Sequence, residues 1–393
     1  MDISKYNFTV AQQAILKNIQ TDLKMWNEKP LEDIWPYHLE EKYQHKQLSK
    51  AIMRYIQDHY EQLKAKPNRY DNFPEYDNSR KISFETIEKK GVALGACPVA
   101  SEGTRCCNLL TLDAVESCGF DCSYCSIQSF YNQNKIGFDK DFKTKLQNLQ
   151  LDPNEIYHIG TGQSSDSLMW GNKEGILDAL FEFARKNPNV ILEFKTKSDN
   201  IKYLLENDVP KNIIVTWSLN TQTIIDNEEH LTASLDKRIS SARALADKGV
   251  LVGFHFHPIV VYDNYLAEYE KIYKRLIDTF SVDEVVLVSL GTLTFIKPVI
   301  QKLRQRELKS KILQMPFENI NGKQSYDLET KKQMFKHAYD SFKPWHKDVY
   351  FYLCMEAHSL WKDVFGYEYA TNNQMEDMMK MSYMNKIRKK NVT

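Results

Sequence analysis

Five short apolar runs decide the fold: EIYHIG (155–160), VILEFKT (190–196), NIIVTWS (212–218), VLVGFHF (250–256) and EVVLVSL (284–290). Each is rich in β-branched and aromatic residues and almost continuously apolar, the pattern of strands buried on both faces of a parallel sheet. Longer amphipathic stretches separate them. Glu174 to Lys186 puts Ile176, Leu177, Leu180, Phe181 and Ala184 on one helical stripe. Leu235 to Lys248 does the same with Leu235, Ile239, Ala242 and Ala246, then stops at Gly249,. This alternation predicts an α/β fold with helices over the outside of the sheet. An earlier run, CNLLTLDAV (107–115), supplies a first strand, making six.

Either side of this core the pattern changes. Residues 1–90 show helical stretches, Ala11 to Glu28 and Leu39 to Ala65, a turn-rich segment KPNRYDNFPEYDNS (66–79) and no strand rhythm,. After Leu290 come a basic helix candidate (Lys297 to Lys311), a polar loop FENINGKQSYD, a helix from Leu328 to Phe342, a strand-like DVYFYLC (348–354) and a Met-rich helical tail. The expected division is a helical N-terminal extension (1–90), a barrel-like core (91–295) and a C-terminal α/β extension (296–393). With 393 residues, 42% of them hydrophobic, such a core can be filled,.

The 52 basic residues balance the 52 acidic ones, so no overall positive field argues for nucleic acid or an anionic membrane,. Lys297 to Lys311 is locally basic, with six basic residues and one acid, and reads either as a phosphate-binding patch or as a solvated helix face,. MDISKYNF at the start has no basic or apolar leader pattern, and the longest apolar stretch, Val250 to Tyr262, is broken by His255 and His257,. The expectation is a soluble cytoplasmic protein without a membrane partner.

Six of the seven cysteines crowd between Cys97 and Cys125, unlike a disulfide framework,. Cys118, Cys122 and Cys125 form C-x3-C-x2-C. Three thiolates on one loop can bind three irons of a 4Fe-4S cubane and leave the fourth open for chemistry. Structural zinc normally takes four ligands in two pairs, and no second C-x2-C follows. Packing of three core cysteines fits poorly with the Gly, Asp and Ser between them. Cys97, Cys106 and Cys107 with Cys354 read either as a second four-cysteine site or as buried small hydrophobes.

This motif, set after a first strand and before a βα succession, resembles the radical S-adenosylmethionine superfamily. The resemblance narrows to the spore photoproduct lyase family through GTGQSSDS (160–167), FKTKSDNIKYLL (194–205), VTWSLN (215–220), EEHLTASLDKRISSARA (228–244) and GVLVGFHFHPIV (249–260), with SLGTLTF (289–295) and YLCME (352–356) like its wider relatives. It implies a partial parallel (β/α)6 barrel of radical S-adenosylmethionine type. It also implies a 4Fe-4S cluster on Cys118, Cys122 and Cys125, with S-adenosylmethionine chelated to the open iron and cleaved to a 5′-deoxyadenosyl radical that takes hydrogen from a substrate. By the same resemblance Tyr124 lies near the adenine, Gly160, Thr161 and Gly162 let backbone approach the methionyl group, and Lys197, Ser218 and Asn220 hold the carboxylate or ribose. The residues leave other readings open: Tyr124 as core, Lys197 as a solvated lysine, and Glu229, Thr232 and Arg238 as a capped, salt-bridged helix start. His255 and His257 are candidates for a supporting role.

The implied partners are DNA carrying a photolesion and a reductant such as flavodoxin or ferredoxin; a peptide, RNA or small-molecule substrate is the alternative. One departure matters. The type lyase has a cysteine hydrogen donor in the loop after the second barrel strand and a tyrosine directly after the third cluster cysteine. Here the loop reads Gly162, Gln163, Ser164, Ser165, Asp166, and Ser126 follows Cys125. Cys354 is the candidate substitute donor, with a buried packing role as the other reading.

Overall fold

Parallel strands twist as they pair, and here they curl one sheet around a polar interior. In the computed structural model, which describes residues 3, 5–89, 94–97, 103–127, 134–320 and 322–392, the main sheet has eight strands. They are β1 (Leu94–Ala96), β2 (Leu110–Leu112), β3 (Tyr157–Thr161), β4 (Val190–Thr196), β5 (Ile213–Ser218), β6 (Leu251–Ile259), β7 (Val285–Thr292) and β8 (Tyr350–Leu353). Spatial order follows chain order. Every neighbouring pair from β2 to β8 is parallel, and only β1 runs antiparallel to β2. The result is a curled half-barrel.

All six expected strands are present, and two more join them. The 348–354 run enters the sheet as β8, pairing Leu287 with Tyr350 through Leu290 with Leu353. The N-terminal region is not purely helical either: Ser83–Ile87 forms a strand parallel to Lys135–Asp139. The outer helices lie close to their expected bounds, Ile176–Lys186 and Leu235–Asp247, and Gly249 takes φ 87 directly after the second. The last helix, Asn372–Val392, packs against β4, β7 and β8, and its Tyr383 ring meets His158 edge-on at 5.4 Å.

The N-terminal helix, Val10–Trp26, begins with a capping box in which Thr9 accepts from the Gln12 amide and Gln12 from the Thr9 amide,. Its Trp26 stacks on Tyr60 at 5.1 Å. Its buried Asp22 receives Tyr60 Oη at 2.6 Å and both arms of Arg304 at 2.8 and 2.7 Å. The basic segment is therefore largely turned inward. Arg304 is spent on Asp22, Lys309 on the Lys24 carbonyl, Lys311 on Glu28 and Gln314, and Arg306 on the loop described next. Lys302 stays exposed. A continuous phosphate-binding face on 297–311 is thus corrected: the bidentate geometry of arginine suits buried carboxylates as well as phosphates, and here it meets the former.

Candidate active site

Cys118, Cys122 and Cys125 sit on the loop that leaves the first strands, around Phe120 and against Met169. Gly119 leaves room for its neighbours: a Cβ there would come within 2.5 Å of Met169 Cε and 2.7 Å of the Trp170 ring, and both side chains would have to shift. Cys118 and Cys122 are buried, and Cys125 is partly exposed. Burial pushes the Cys118 and Cys122 thiols well up, and Cys125 adds to the rise in both. For Cys122, Lys197 and Arg238 pull the other way without offsetting burial.

Charged side chains from outside the barrel fix the loop backbone. Arg80 Nη2 donates to the Cys118 carbonyl at 3.0 Å and its Nη1 to the Phe120 carbonyl at 3.1 Å, while Arg306 Nη1 donates to the Cys122 carbonyl at 3.0 Å. Both guanidiniums also meet the buried Asp121, whose other oxygen accepts from Tyr76 Oη at 2.7 Å. On the opposite side, Glu229–His230 pairs antiparallel with Asp121–Cys122. Ser123 donates to the Glu228 carboxylate, which also receives Tyr70 Oη at 2.8 Å, Ser310 Oγ at 2.7 Å and the Lys311 amide at 2.8 Å.

The expected site residues converge only in part. Tyr124, Gly160, Gly162, Lys197, Ser218 and Cys354 line one cavity of about 320 Å3 together with Cys118, Cys122 and Cys125. Gly162 takes φ 74, and a Cβ there would strike the Ser167 amide at 2.6 Å,. Thr161 and Asn220 do not reach that wall. Thr161 bonds to Ser167 at 2.7 Å, and Asn220 is fully buried, donating to Glu229 at 3.2 Å and to the Pro258 carbonyl at 3.1 Å.

Glu229 is the hub of a buried network behind the cavity wall. Tyr124 Oη donates to it, Lys197 Nζ lies 3.2 Å from one oxygen and Arg238 Nη1 2.7 Å from the other. Burial alone would raise this carboxyl, but Lys197 and Arg238 hold it down to about 2,. Thr232 and Arg238 are therefore part of a buried network that reaches Lys197 and Tyr124, and the helix at Leu235 is capped by Ser234 instead. Asp166, at the end of the 162–166 loop, accepts from the Leu168, Met169 and Lys197 amides and from Thr196 Oγ1, tying that loop to the end of β4.

Deeper in the barrel a polar chain crosses five strands. Glu193 accepts from His158 Nε2 at 2.8 Å, His255 Nε2 at 2.6 Å and Thr216 Oγ1 at 2.6 Å. His255 Nδ1 meets Ser289 Oγ, which lies 3.0 Å from His257 Nε2. A Cβ at Gly291 would come within 3.1 Å of the His257 ring, so the glycine makes room for it.

The sequence profile of the spore photoproduct lyase family matches residues 110–338, more than half of the chain. The chain belongs to the spore photoproduct lyase family. Among relatives, it is 27% identical over 172 residues to the spore photoproduct lyase of Clostridium acetobutylicum (42% of this chain, 51% of the relative), and 31% identical over 85 residues to that of Bacillus subtilis (22% and 25%). The chain thus spans about half the length of the first of these relatives. A solved spore photoproduct lyase complexed with dinucleoside spore photoproduct superposes with TM-score 0.59 at 19% identity, covering 69% of this chain and 82% of that one. A doubly substituted spore photoproduct lyase with bound AdoMet and dinucleoside spore photoproduct gives 0.58 at the same identity and coverage. Both share the half-barrel. No helix among the described residues is long and apolar enough to cross a membrane.

Proposed function

We propose that this chain is a radical S-adenosylmethionine enzyme whose site is the cavity that Cys118, Cys122 and Cys125 share with Lys197, Ser218 and Cys354. The observation that carries this reading is the placement of all three cysteines on one wall of a cavity at the C-terminal strand ends, where parallel βα folds bind ligands,. The donor set suits a cluster better than a single ion. A zinc ion would draw its sulfurs to about 2.3 Å from one point, and no three His, Cys, Asp or Glu among the described residues are so arranged; a cubane takes one thiolate per iron. When bound, a 4Fe-4S cluster with S-adenosylmethionine supplies the electron that cleaves the cofactor to a 5′-deoxyadenosyl radical.

The chain's own residues bind and shield. Lys197, with Glu229 and Arg238 behind it, presents a positively charged corner for the cofactor carboxylate; Ser218 offers a hydroxyl, Tyr124 a ring, and Gly160 and Gly162 open backbone. Thr161 and Asn220 would act through neighbours, Asn220 by orienting Glu229. The functional unit is the barrel core with the 1–90 and 296–393 regions bracing the cluster loop. A cytoplasmic setting with flavodoxin or ferredoxin as reductant fits this chemistry. The test is anaerobic reconstitution with iron and sulfide, then S-adenosylmethionine and dithionite, with and without UV-irradiated DNA. 5′-Deoxyadenosine is expected; none from protein carrying a full cluster would refute the reading.

The substrate that family membership favours is a DNA photolesion of the spore photoproduct type. Two observations favour a smaller substrate: the basic segment is engaged internally, and the cavity holds charged groups deep inside. Cys354 lines the same cavity as the 162–166 loop, which lacks a thiol, and serine and glutamine hold their hydrogens too strongly to replace one. We expect poor repair of spore photoproduct. Cys354→Ala should leave 5′-deoxyadenosine formation within about twofold while stopping product formation; efficient photoproduct repair by that variant would contradict both expectations.

A further inference from the structure

The inward face of β4 carries an unbalanced charge. Side chains alternate across a strand, so Glu193, Lys195 and, just past its end, Lys197 form a row facing the cavity,. Glu193 is satisfied by two imidazoles and Thr216. Lys197 lies 3.2 Å from Glu229. Lys195, half-buried between them, has no hydrogen bond from its ammonium and no carboxylate within ion-pair distance among the described residues.

Apart from Glu193, two residues away on the same face and engaged by His158, His255 and Thr216, its neighbours supply no counter-ion. Burial pushes the Cys354 thiol up to about 12, although Lys195 pulls it the other way, so it stays uncharged. Burial and then Lys195 push His257 down, and His255 falls to about 4 for the same two reasons, so both rings are neutral near pH 7. Glu356 is taken by Lys331 at 2.7 Å. A half-buried ammonium that faces a cavity without a direct partner is free to take an arriving anion by a charge-assisted hydrogen bond,. His257 stands beside it with Nε2 committed to Ser289 and no hydrogen bond at Nδ1 to a described residue.

We propose that the inner part of this cavity is an oxyanion subsite, in which Lys195, with His257 beside it, binds a carboxylate or phosphate carried by the substrate. Lys197 sits with Tyr124 and the cluster loop, whereas Lys195 sits with Cys354 and the two histidines; the anion therefore lies on the side of the proposed hydrogen donor. Its place in catalysis rests on the function proposed above, while its binding does not.

The test uses the full chain labelled with 13C-histidine, titrated with inorganic phosphate at fixed pH and ionic strength, with the His257 resonance assigned through His257→Gln. A saturable shift of that resonance is expected. Lys195→Met should weaken phosphate binding by about tenfold or more, the worth of one charge-assisted contact, and Lys195→Arg should retain it; thermal melting checks that both variants fold. No saturable shift, or equal binding by Lys195→Met, would overturn the subsite. Displacement of phosphate by S-adenosylmethionine added to reconstituted protein would overturn its assignment to the substrate. Failure of cofactor cleavage would leave the phosphate titration untouched, so the two ideas fail separately.

Discussion

Cys122→Ala is expected to give a folded, colourless protein that forms no 5′-deoxyadenosine, and Cys118→Ala and Cys125→Ala the same. In the proposed site each thiolate would hold one iron, so the loss of any one would leave two irons without protein ligands instead of one and the cluster would no longer be retained. The fold should survive. Removing one sulfur from a buried site costs about 1 kcal/mol, like the deletion of a methyl group, while the loop backbone stays held by Arg80, Arg306 and the pairing of Cys122 with Glu229. The measurements are iron and sulfide content after anaerobic reconstitution, visible absorbance, and chromatographic assay of 5′-deoxyadenosine. About four irons are expected in the parent, one cubane per chain. Full iron content and normal cofactor cleavage in Cys122→Ala would mean that these cysteines are not the cluster ligands.

The parts of this site that could be read in the sequence are those with local signals. The strands announce themselves because both faces are buried; every residue of β5 and β7 is. The cysteine loop is a contiguous motif, and Lys197 and Ser218 follow from their places at strand ends. Ser83–Ile87 gave no such signal: its burial pattern is almost wholly exposed, so SFETI carries no apolar run. DVYFYLC has strand composition, but its partner β7 lies about sixty residues earlier, and composition does not choose partners,. Arginines are the hardest to read, since the same side chain suits water, phosphate and buried carboxylate. For Arg304 a signal existed: Val299, Ile300 and Leu303 form the buried stripe of the Lys297–Gln305 helix, and position 304 borders it. For Arg306, which reaches across 184 residues to the Cys122 carbonyl, none did.

The second large effect concerns those arginines. The double substitution Arg80→Ala/Arg306→Ala should lose most of its iron on reconstitution and unfold at clearly lower denaturant than the parent. Asp121 is 4% exposed and meets both guanidiniums. Among the described residues, removing both leaves a buried carboxylate with only Tyr76 Oη as a side-chain donor, and breaking a buried pair in this way costs about 3–5 kcal/mol. The carbonyls of Cys118, Phe120 and Cys122 lose their arginine donors at the same time, the last keeping the Cys125 amide at 3.3 Å, so the loop that sets the spacing of the thiolates is loosened where the spacing matters. Arg306→Ala alone should show a smaller loss, because Arg80 still neutralises Asp121. Arg306→Lys should fall between, since an ammonium keeps the charge without the fork that reaches Asp121 and the Cys122 carbonyl together. Lys302→Ala, exposed in the same segment, is the control and should change neither stability nor iron content. A double variant that holds a full cluster at unchanged denaturant midpoint would show that the cluster loop is shaped by its own sequence and not by the two extensions that grip it.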